Sequence, residues 1–391
     1  MRASPASAPS VSKTLRPFQK QALDALARPG HVLCVSPTGS GKSLIYEQAA
    51  LKPGRRTLLV TPLVALARQQ HQALSSLPEA AVALGAGDLS EGPPKLEGPT
   101  RSGIWIVSPE KISHPRQREA LLRWRPDFLV VDECHCLWDW GENFRPAFRA
   151  LPELIGQHAI HSSLWLTATL PTGARNELRS VLPPPLIELG GFDLPPSLEI
   201  SVARIPWPDR ASTLVSWLRH QTRPGIVFTS TRETSRRLER LLHAAGIPSL
   251  AYHAGLSQEE RRAAEAGVSR GEVRAVVATS AFGMGMNYPM LEWAVLWQAP
   301  ASLLSLAQAI GRVGRDPLRP ARALVFWDQE DFRLNAWVVG RSEKRRQQLL
   351  EVKQFLEGTE CRRETLRSAF EESYQPGPPC QKCDFCRKNH A

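Results

Sequence analysis

Pro37-Thr38-Gly39-Ser40-Gly41-Lys42-Ser43 sits between an apolar run at residues 32–35 and a helix-favouring stretch at 44–51. Strand, glycine-rich turn and helix in that order predict a phosphate-binding loop. Glycines let backbone N–H groups close on a polyphosphate, so Thr38, Gly39, Ser40 and Gly41 form the cradle, Lys42 charges the β and γ phosphates, and Ser43 can ligate Mg²⁺. The dipole at the start of the helix adds to the attraction. ATP is the ligand this pattern predicts, although Ser36 stands where the generic pattern has its first glycine. An incidental glycine-rich turn is the alternative, and the rest of the chain bears against it.

At 391 residues the chain is long for one core, so two or three domains are expected. The net charge of +11 suits a polyanionic partner. A base-composition bias toward Arg codons would produce the same excess. No stretch approaches the length of an apolar membrane span, and residues 1–13 lack the apolar core of a signal peptide. The expectation is a cytoplasmic protein without a membrane partner, nucleoid-associated if bacterial. Four of the seven cysteines cluster near the C-terminus, which fits a metal site in a reducing compartment better than a disulfide framework.

Short apolar runs recur at 32–35, 57–61, 104–107, 128–131 and 164–166, each followed by a helix-like stretch. That alternation predicts an α/β fold with a parallel sheet covered by helices. Clustered prolines between 182 and 208 break the rhythm and read as a linker. A second α/β series follows, with strands expected at 225–228, 249–252, 275–278, 294–296 and 323–326. The boundaries expected are a disordered tail at 1–13, a first lobe at 14–190, a linker at 191–211, a second lobe at 212–330 and a helical, cysteine-bearing module at 331–391.

Asp132-Glu133-Cys134-His135 follows the run at 128–131, which puts two carboxylates at the C-terminal edge of a strand, where ligands bind in open α/β sheets. One acid can hold Mg²⁺ while the other orients or deprotonates the attacking water. A solvated acidic turn is the bland alternative. The longer stretch Asp132-Glu133-Cys134-His135-Cys136-Leu137-Trp138-Asp139-Trp140-Gly141-Glu142-Asn143-Phe144-Arg145-Pro146 closely resembles motif II and the aromatic-rich loop of the RecQ family of superfamily 2 DNA helicases. Further motifs resemble the family in order: Thr61-Pro62-Leu63 (Ia), Ser108-Pro109-Glu110 (Ib), Leu166-Thr167-Ala168-Thr169 (III), Tyr252-His253-Ala254-Gly255 (IVa), Ala278-Thr279-Ser280 with the residues after it (V), and Gln308 to Asp316 (VI).

The resemblance implies two tandem RecA-like lobes with parallel sheets and a small C-terminal helical zinc-binding subdomain. It implies an ATP-dependent 3′-5′ DNA helicase of repair or recombination, whose partners are single-stranded and tailed duplex DNA and other repair proteins. Lys42, Asp132, Glu133, Arg312 and Arg315 become the catalytic set, with Ser43 and Asp132 on Mg²⁺, and Gln19 and Gln308 join the nucleotide site. Arg312 and Arg315, three apart, would share a helix face and reach a γ-phosphate on the opposite lobe. Pro62, Leu63, Ser108, His253 and Thr279 are the expected DNA contacts. Trp138, Trp140, Phe144 and Arg145 join them as stacking rings and a cation, since base stacking tolerates any sequence. Packing of single aromatics onto the first lobe is the alternative.

Cys361, Cys380, Cys383 and Cys386 suit tetrahedral thiolate coordination of zinc, and an iron–sulfur cluster uses related spacing. The resemblance favours Zn²⁺ in a structural role. Cys34, Cys134 and Cys136 read as buried residues. Three departures from the family stand out: Glu142 replaces a histidine, the aromatic adenine-stacking segment upstream of Leu15 is missing, and five residues follow Cys386, which reads as a short form without a winged helix. An RNA-dependent ATPase and a DNA-binding scaffold with a vestigial motor are the rival readings.

Overall fold

The structure, a computed structural model, describes residues 15–389 apart from 87–91, 97–100, 113, 140–150, 153, 157–159, 280–281, 283–287, 289, 341 and 373. In the first half, β1 (Gly30–Val35), β2 (Arg56–Val60), β3 (Ala80–Gly85), β4 (Ser102–Val107), β5 (Phe128–Val131), β6 (Ser162–Thr167) and β7 (Leu186–Gly190) form one sheet in the order β3-β4-β2-β5-β6-β1-β7. In the second, β8 (Leu198–Arg204), β9 (Gly225–Phe228), β10 (Ser249–Tyr252), β11 (Ala275–Ala278), β12 (Trp293–Leu296) and β13 (Ala321–Trp327) form another in the order β10-β11-β9-β12-β13-β8. Each ladder is parallel. Parallel neighbours need long crossovers, and the helices that supply them cover both faces, which is why central strands such as β5 are apolar and buried throughout.

The ten strands expected from apolar runs are all present, and β3, β7 and β8 are additional. β8 corrects the linker reading of 191–211. It pairs with β13 along its whole length, from Leu198 opposite Ala321 to Arg204 opposite Trp327. Prolines 195 and 196 precede it and 206 and 208 follow it, so they flank the strand without removing a ladder donor. The connection between sheets shrinks to residues 191–197.

The C-terminal helices Gln329–Val339, Glu343–Glu357 and Arg362–Phe370 pack on the second sheet. Val352, Phe355, Leu366 and Phe370 share one apolar core with Leu198, Ile200 and Val325. A fully buried ion pair pins this junction. Arg210 donates to Asp331 at 3.0 and 2.9 Å, and to the carbonyls of Ile205 and Trp297, while Asp331 also accepts from the N–H groups of Ala299 and Asp328. Removing one partner strands the other charge in a dry interior, so Asp331→Ala should lower the unfolding free energy by about 3–5 kcal/mol. Joint replacement of Arg210 by Met and Asp331 by Leu should cost far less, and urea unfolding of both variants measures the difference.

Candidate active site

β1, β5 and β6 end at one edge of the first sheet, and their outgoing segments are stitched together there. Ser36 N–H donates to Thr167 O at 3.0 Å and Cys134 N–H to Leu166 O at 2.9 Å. The loop after β1 wraps back on itself, with Lys42 Nζ donating to Ser36 O at 2.6 Å and Pro37 O at 3.1 Å. Burial pulls the Lys42 ammonium below its ordinary pKa, and the Glu133 and Asp132 carboxylates push back against that. Gly41 has φ +87°, and a Cβ there would stand 2.7 Å from Gln19 Nε2.

Gln19 Nε2 donates to Gly41 O at 2.8 Å while its Oε1 accepts from Arg16 N–H at 2.7 Å, so the amide braces the loop against the helix Pro17–Ala25.

Asp132 is held by the N–H of Glu133 at 2.9 Å and by Gln70 Nε2 at 2.7 Å. Burial and the neighbouring Glu133 charge raise its pKa, and Lys42 opposes them. Burial acts the same way on Glu133, but His135, Lys42, Arg312 and Arg315 together bring it below the ordinary value. Glu133 adopts φ +48°, a left-handed backbone that costs a non-glycine residue about 1–3 kcal/mol and is typical of functional turns. Its Oε2 lies 3.3 Å from His135 Nδ1.

The tautomer of His135 follows from its partners. Thr167 Oγ1 gives its proton to Thr169 O and so can only accept from His135 Nδ1, 2.9 Å away. Nδ1 therefore carries the hydrogen, and Nε2 faces Cys136 Sγ at 3.2 Å as acceptor. Burial lowers the His135 pKa to about 4, with Glu133 opposing and Arg312 and Lys42 reinforcing the shift. A folded pKa depressed from 6.5 means that the unfolded chain binds the extra proton, so this contribution is intact above pH 6.5 and is lost as pH falls toward 4. The expected loss is on the order of 3 kcal/mol across that window. His135→Gln should flatten the thermal-melt pH profile there.

The second lobe supplies the opposing wall. The helix Leu303–Ile310 opens on a Ser302–Ser305 capping box and stops at Gly311. Arg312 and Arg315 thus occupy the turn beyond the helix, which corrects the shared-helix-face expectation. Gly314 between them has φ +73°, and a Cβ there would press on Ala321 and Pro195. Both arginines reach the first lobe all the same: with Gln308 they line a cleft of about 680 Å³ together with Ser36, Thr38, Gly39, Ser40, Glu133 and His135. A second hollow of about 380 Å³ on the far side of the loop gathers Lys42, Ser43, Asp132, Glu133 and Arg315. Burial and the Arg312 charge bring Arg315 down to about 10, with Glu133 pulling the other way.

The expected DNA contacts divide. Pro62, Leu63 and Ser108 lie side by side after the neighbouring strands β2 and β4, and Thr61 N–H bonds Val107 O at 3.0 Å. His253 and Thr279 likewise follow the paired β10 and β11. His253, however, is fully buried and accepts from Arg236 Nε at 2.9 Å, so Arg236 and not the imidazole faces outward. Trp138 is also a correction: its ring packs into the first core and its N–H donates to Glu177 at 2.8 Å. Trp140, Phe144, Arg145 and the substituted Glu142 lie outside the described residues. Absent from the sequence-level expectations were Arg232, Arg236 and Arg240, which line an open groove of about 690 Å³ with Gly255; their fourfold spacing on the helix Arg232–Ala244 was the signal.

Three family models match most of the chain: DEAD/DEAH box helicase over residues 16–177, helicase conserved C-terminal domain over 209–317, and RecQ zinc-binding over 329–387. Among curated proteins, "ATP-dependent DNA helicase RecQ" of Synechocystis sp. is 30% identical over 352 residues, covering 83% of this chain and 72% of that protein. The chain belongs to the RecQ family. The RecQ helicase of Pasteurella multocida is 31% identical over 96% of this chain, yet the chain spans about 60% of that relative's length. Two solved structures are similar in fold to this chain: S. cerevisiae Dbp5 bound to RNA and ADP BeF3 (TM-score 0.65, 18% identity, 87% of this chain and 93% of that one) and Mycobacterium smegmatis Lhr bound to ssDNA and AMP-PNP (TM-score 0.60, 23% identity, 84% and 48%).

The RecQ module also resolves the metal. The Sγ atoms of Cys361, Cys380, Cys383 and Cys386 lie within 4.8 Å of one another, and a tetrahedral Zn²⁺ with Zn–S near 2.3 Å spaces its sulfurs about 3.8 Å apart. Burial raises the Cys380 and Cys386 thiols, whereas hydrogen bonds bring Cys361 below its usual value despite its burial. Four thiolates packed this closely need a cation, and with the RecQ zinc-binding match that cation is zinc and not an iron–sulfur cluster. Cys34, Cys134 and Cys136 are buried, as expected. Among the described residues no helix is long and apolar enough to cross a membrane.

Proposed function

We propose that this RecQ-family chain is an ATP-driven motor that moves 3′ to 5′ along single-stranded DNA and unwinds tailed duplexes. Its setting would be DNA repair or recombination, alongside other repair proteins, in the cytoplasm or at a bacterial nucleoid. The observation that carries this reading is the shared cleft, in which Arg312 and Arg315 of the second lobe stand with Glu133 and the phosphate loop of the first. A site completed by two lobes ties each catalytic cycle to their relative movement, which is what a motor requires.

Lys42 contacts the β and γ phosphates in exchange for its loop carbonyls. Ser43 and Asp132, which share one hollow, would hold Mg²⁺, an ion that neutralises phosphate charge when bound. Burial beside Glu133 raises the Asp132 pKa, a cost that a bound cation would relieve. Glu133, kept ionised by the surrounding positive groups, takes the proton of the attacking water, and neutral His135 fixes its carboxylate and relays the state of the site to Thr167. Arg312 and Arg315 stabilise charge on the transferring phosphoryl group. DNA would follow the strand-end residues Pro62, Leu63, Ser108 and Thr279 and the Arg232–Arg236–Arg240 groove, with Trp140, Phe144 and Arg145 sensing it.

Turnover should rise severalfold or more with single-stranded DNA and less with an RNA of matched sequence, and a 3′-tailed duplex should unwind while a 5′-tailed one does not. Equal stimulation by RNA would favour the RNA-dependent reading. Absence of turnover under any condition would favour a scaffold.

A further inference from the structure

We propose that Arg363 is a positioning residue for the nucleotide: it clamps the cleft wall at residues 192–196 to the zinc module, so that metal occupancy and nucleotide affinity are coupled. The coupling goes beyond the motor reading and does not depend on DNA.

Residues 191–197 carry the chain from β7 to β8, and Phe192, Asp193, Leu194, Pro195 and Pro196 line the 680 Å³ cleft. This wall has no ladder of its own. Pro195 and Pro196 have no N–H to donate, and of the segment's carbonyls Pro195 O is met locally, by the N–H of Leu198 at 3.0 Å. Arg363 adds side-chain donors from the C-terminal module. Its Nη2 donates to Leu194 O at 3.0 Å and its Nη1 to Pro195 O at 3.2 Å and Leu198 O at 2.9 Å, with the residue 6% exposed. Lys382 adds a bond from Nζ to Pro196 O at 2.6 Å, and the rings of Phe370 and Phe192 meet at 4.5 Å. Arg363, Phe370 and Lys382 belong to the C-terminal module.

The link to the metal is short. Arg363 is two residues from the zinc ligand Cys361, in the helix that Cys361 caps. The adjacent Arg362 grips Asp384, between Cys383 and Cys386, at 3.1 and 3.3 Å. Zinc therefore fixes the start of the helix, the helix fixes Arg363, and Arg363 fixes the wall. On its other side the wall packs on the arginine turn, since a Cβ on Gly314 would stand 3.1 Å from Pro195 Cβ.

The test is titration of the full chain with a fluorescent ADP analogue in the absence of DNA, with zinc content measured on the same samples. Arg363→Ala should weaken nucleotide binding about tenfold, because the buried carbonyls of Leu194 and Leu198 and the half-buried one of Pro195 lose a charged donor, while retaining one zinc per chain. Arg363→Lys should fall between, since an ammonium cannot span three acceptors as a guanidinium does. Coupling is reciprocal, so saturating ADP should move the midpoint of zinc competition by a chelator severalfold in the wild type and less in Arg363→Lys. If Arg363→Ala does not fold, the lysine variant and the wild-type competition still decide. Nucleotide affinity within twofold of wild type in a zinc-loaded Arg363→Ala, or a chelator midpoint indifferent to ADP, would overturn the proposal. Neither measurement contains DNA, so failure of the motor reading would show separately, as turnover insensitive to single strands.

Discussion

Arg312→Ala and Arg315→Ala should each reduce ATP turnover about 10³-fold or more, the range found for arginines that stabilise a transferring phosphoryl group. Ground-state nucleotide affinity should change far less. The two side chains come from the lobe opposite the phosphate loop and line the cleft they share with it, where on the proposed reading they would meet the negative charge that grows during transfer. Arg315 also borders the hollow containing Lys42 and Asp132, so its loss should weaken binding more than loss of Arg312. Rapid-quench hydrolysis with equilibrium nucleotide titration separates the effects. Turnover within tenfold of wild type in both variants would remove the arginines from the chemistry.

Glu133→Gln and Lys42→Ala should both stop multiple turnover, by different routes. Glutamine keeps the shape of Glu133 but cannot accept a proton, and loss of a general base costs about 10²–10⁴ in rate. Its nucleotide affinity should hold or improve, because a buried negative charge near the phosphates is gone. Lys42→Ala instead removes a cation from the ground-state complex, so affinity itself should fall by at least an order of magnitude. A Glu133→Gln chain that binds ATP tightly and hydrolyses it at the wild-type rate would show that another group activates water.

The phosphate loop and the acid pair were legible because each is a local device, a few consecutive residues at the end of an apolar strand. Their partners were not. Gln19 meets Gly41 and Arg210 meets Asp331 across long stretches of chain, and nothing near Gln19 or Asp331 in sequence marks either as buried. Three-residue spacing placed Arg312 and Arg315 together correctly but for the wrong reason, since Gly311 ends the helix and Gly314 turns the chain to the same effect. Trp138 read as a stacking ring because exposure is a property of the folded surface, and a polar partner on another helix, Glu177, drew it inward. β8 was hidden by prolines that bracket it, although Leu198, Ile200 and Val202 alternate as a half-buried strand should.

The position of β8 also dictates an order of events during synthesis. Its ladder partner β13 lies more than a hundred residues downstream, and Ile200 bridges on to Cys383. The first lobe draws all seven strands from residues 30–190 and can close as soon as they are out. The second must hold an apolar strand unpaired until residues 321–327 have been made, and such long-range parallel pairing is slow. The interval between release of β8 and arrival of β13 is therefore the one in which this apolar strand stands without its ladder partner. A pause in translation there would lengthen that interval, whereas zinc bound once Cys386 has been made would fix the bridge from Ile200 to Cys383.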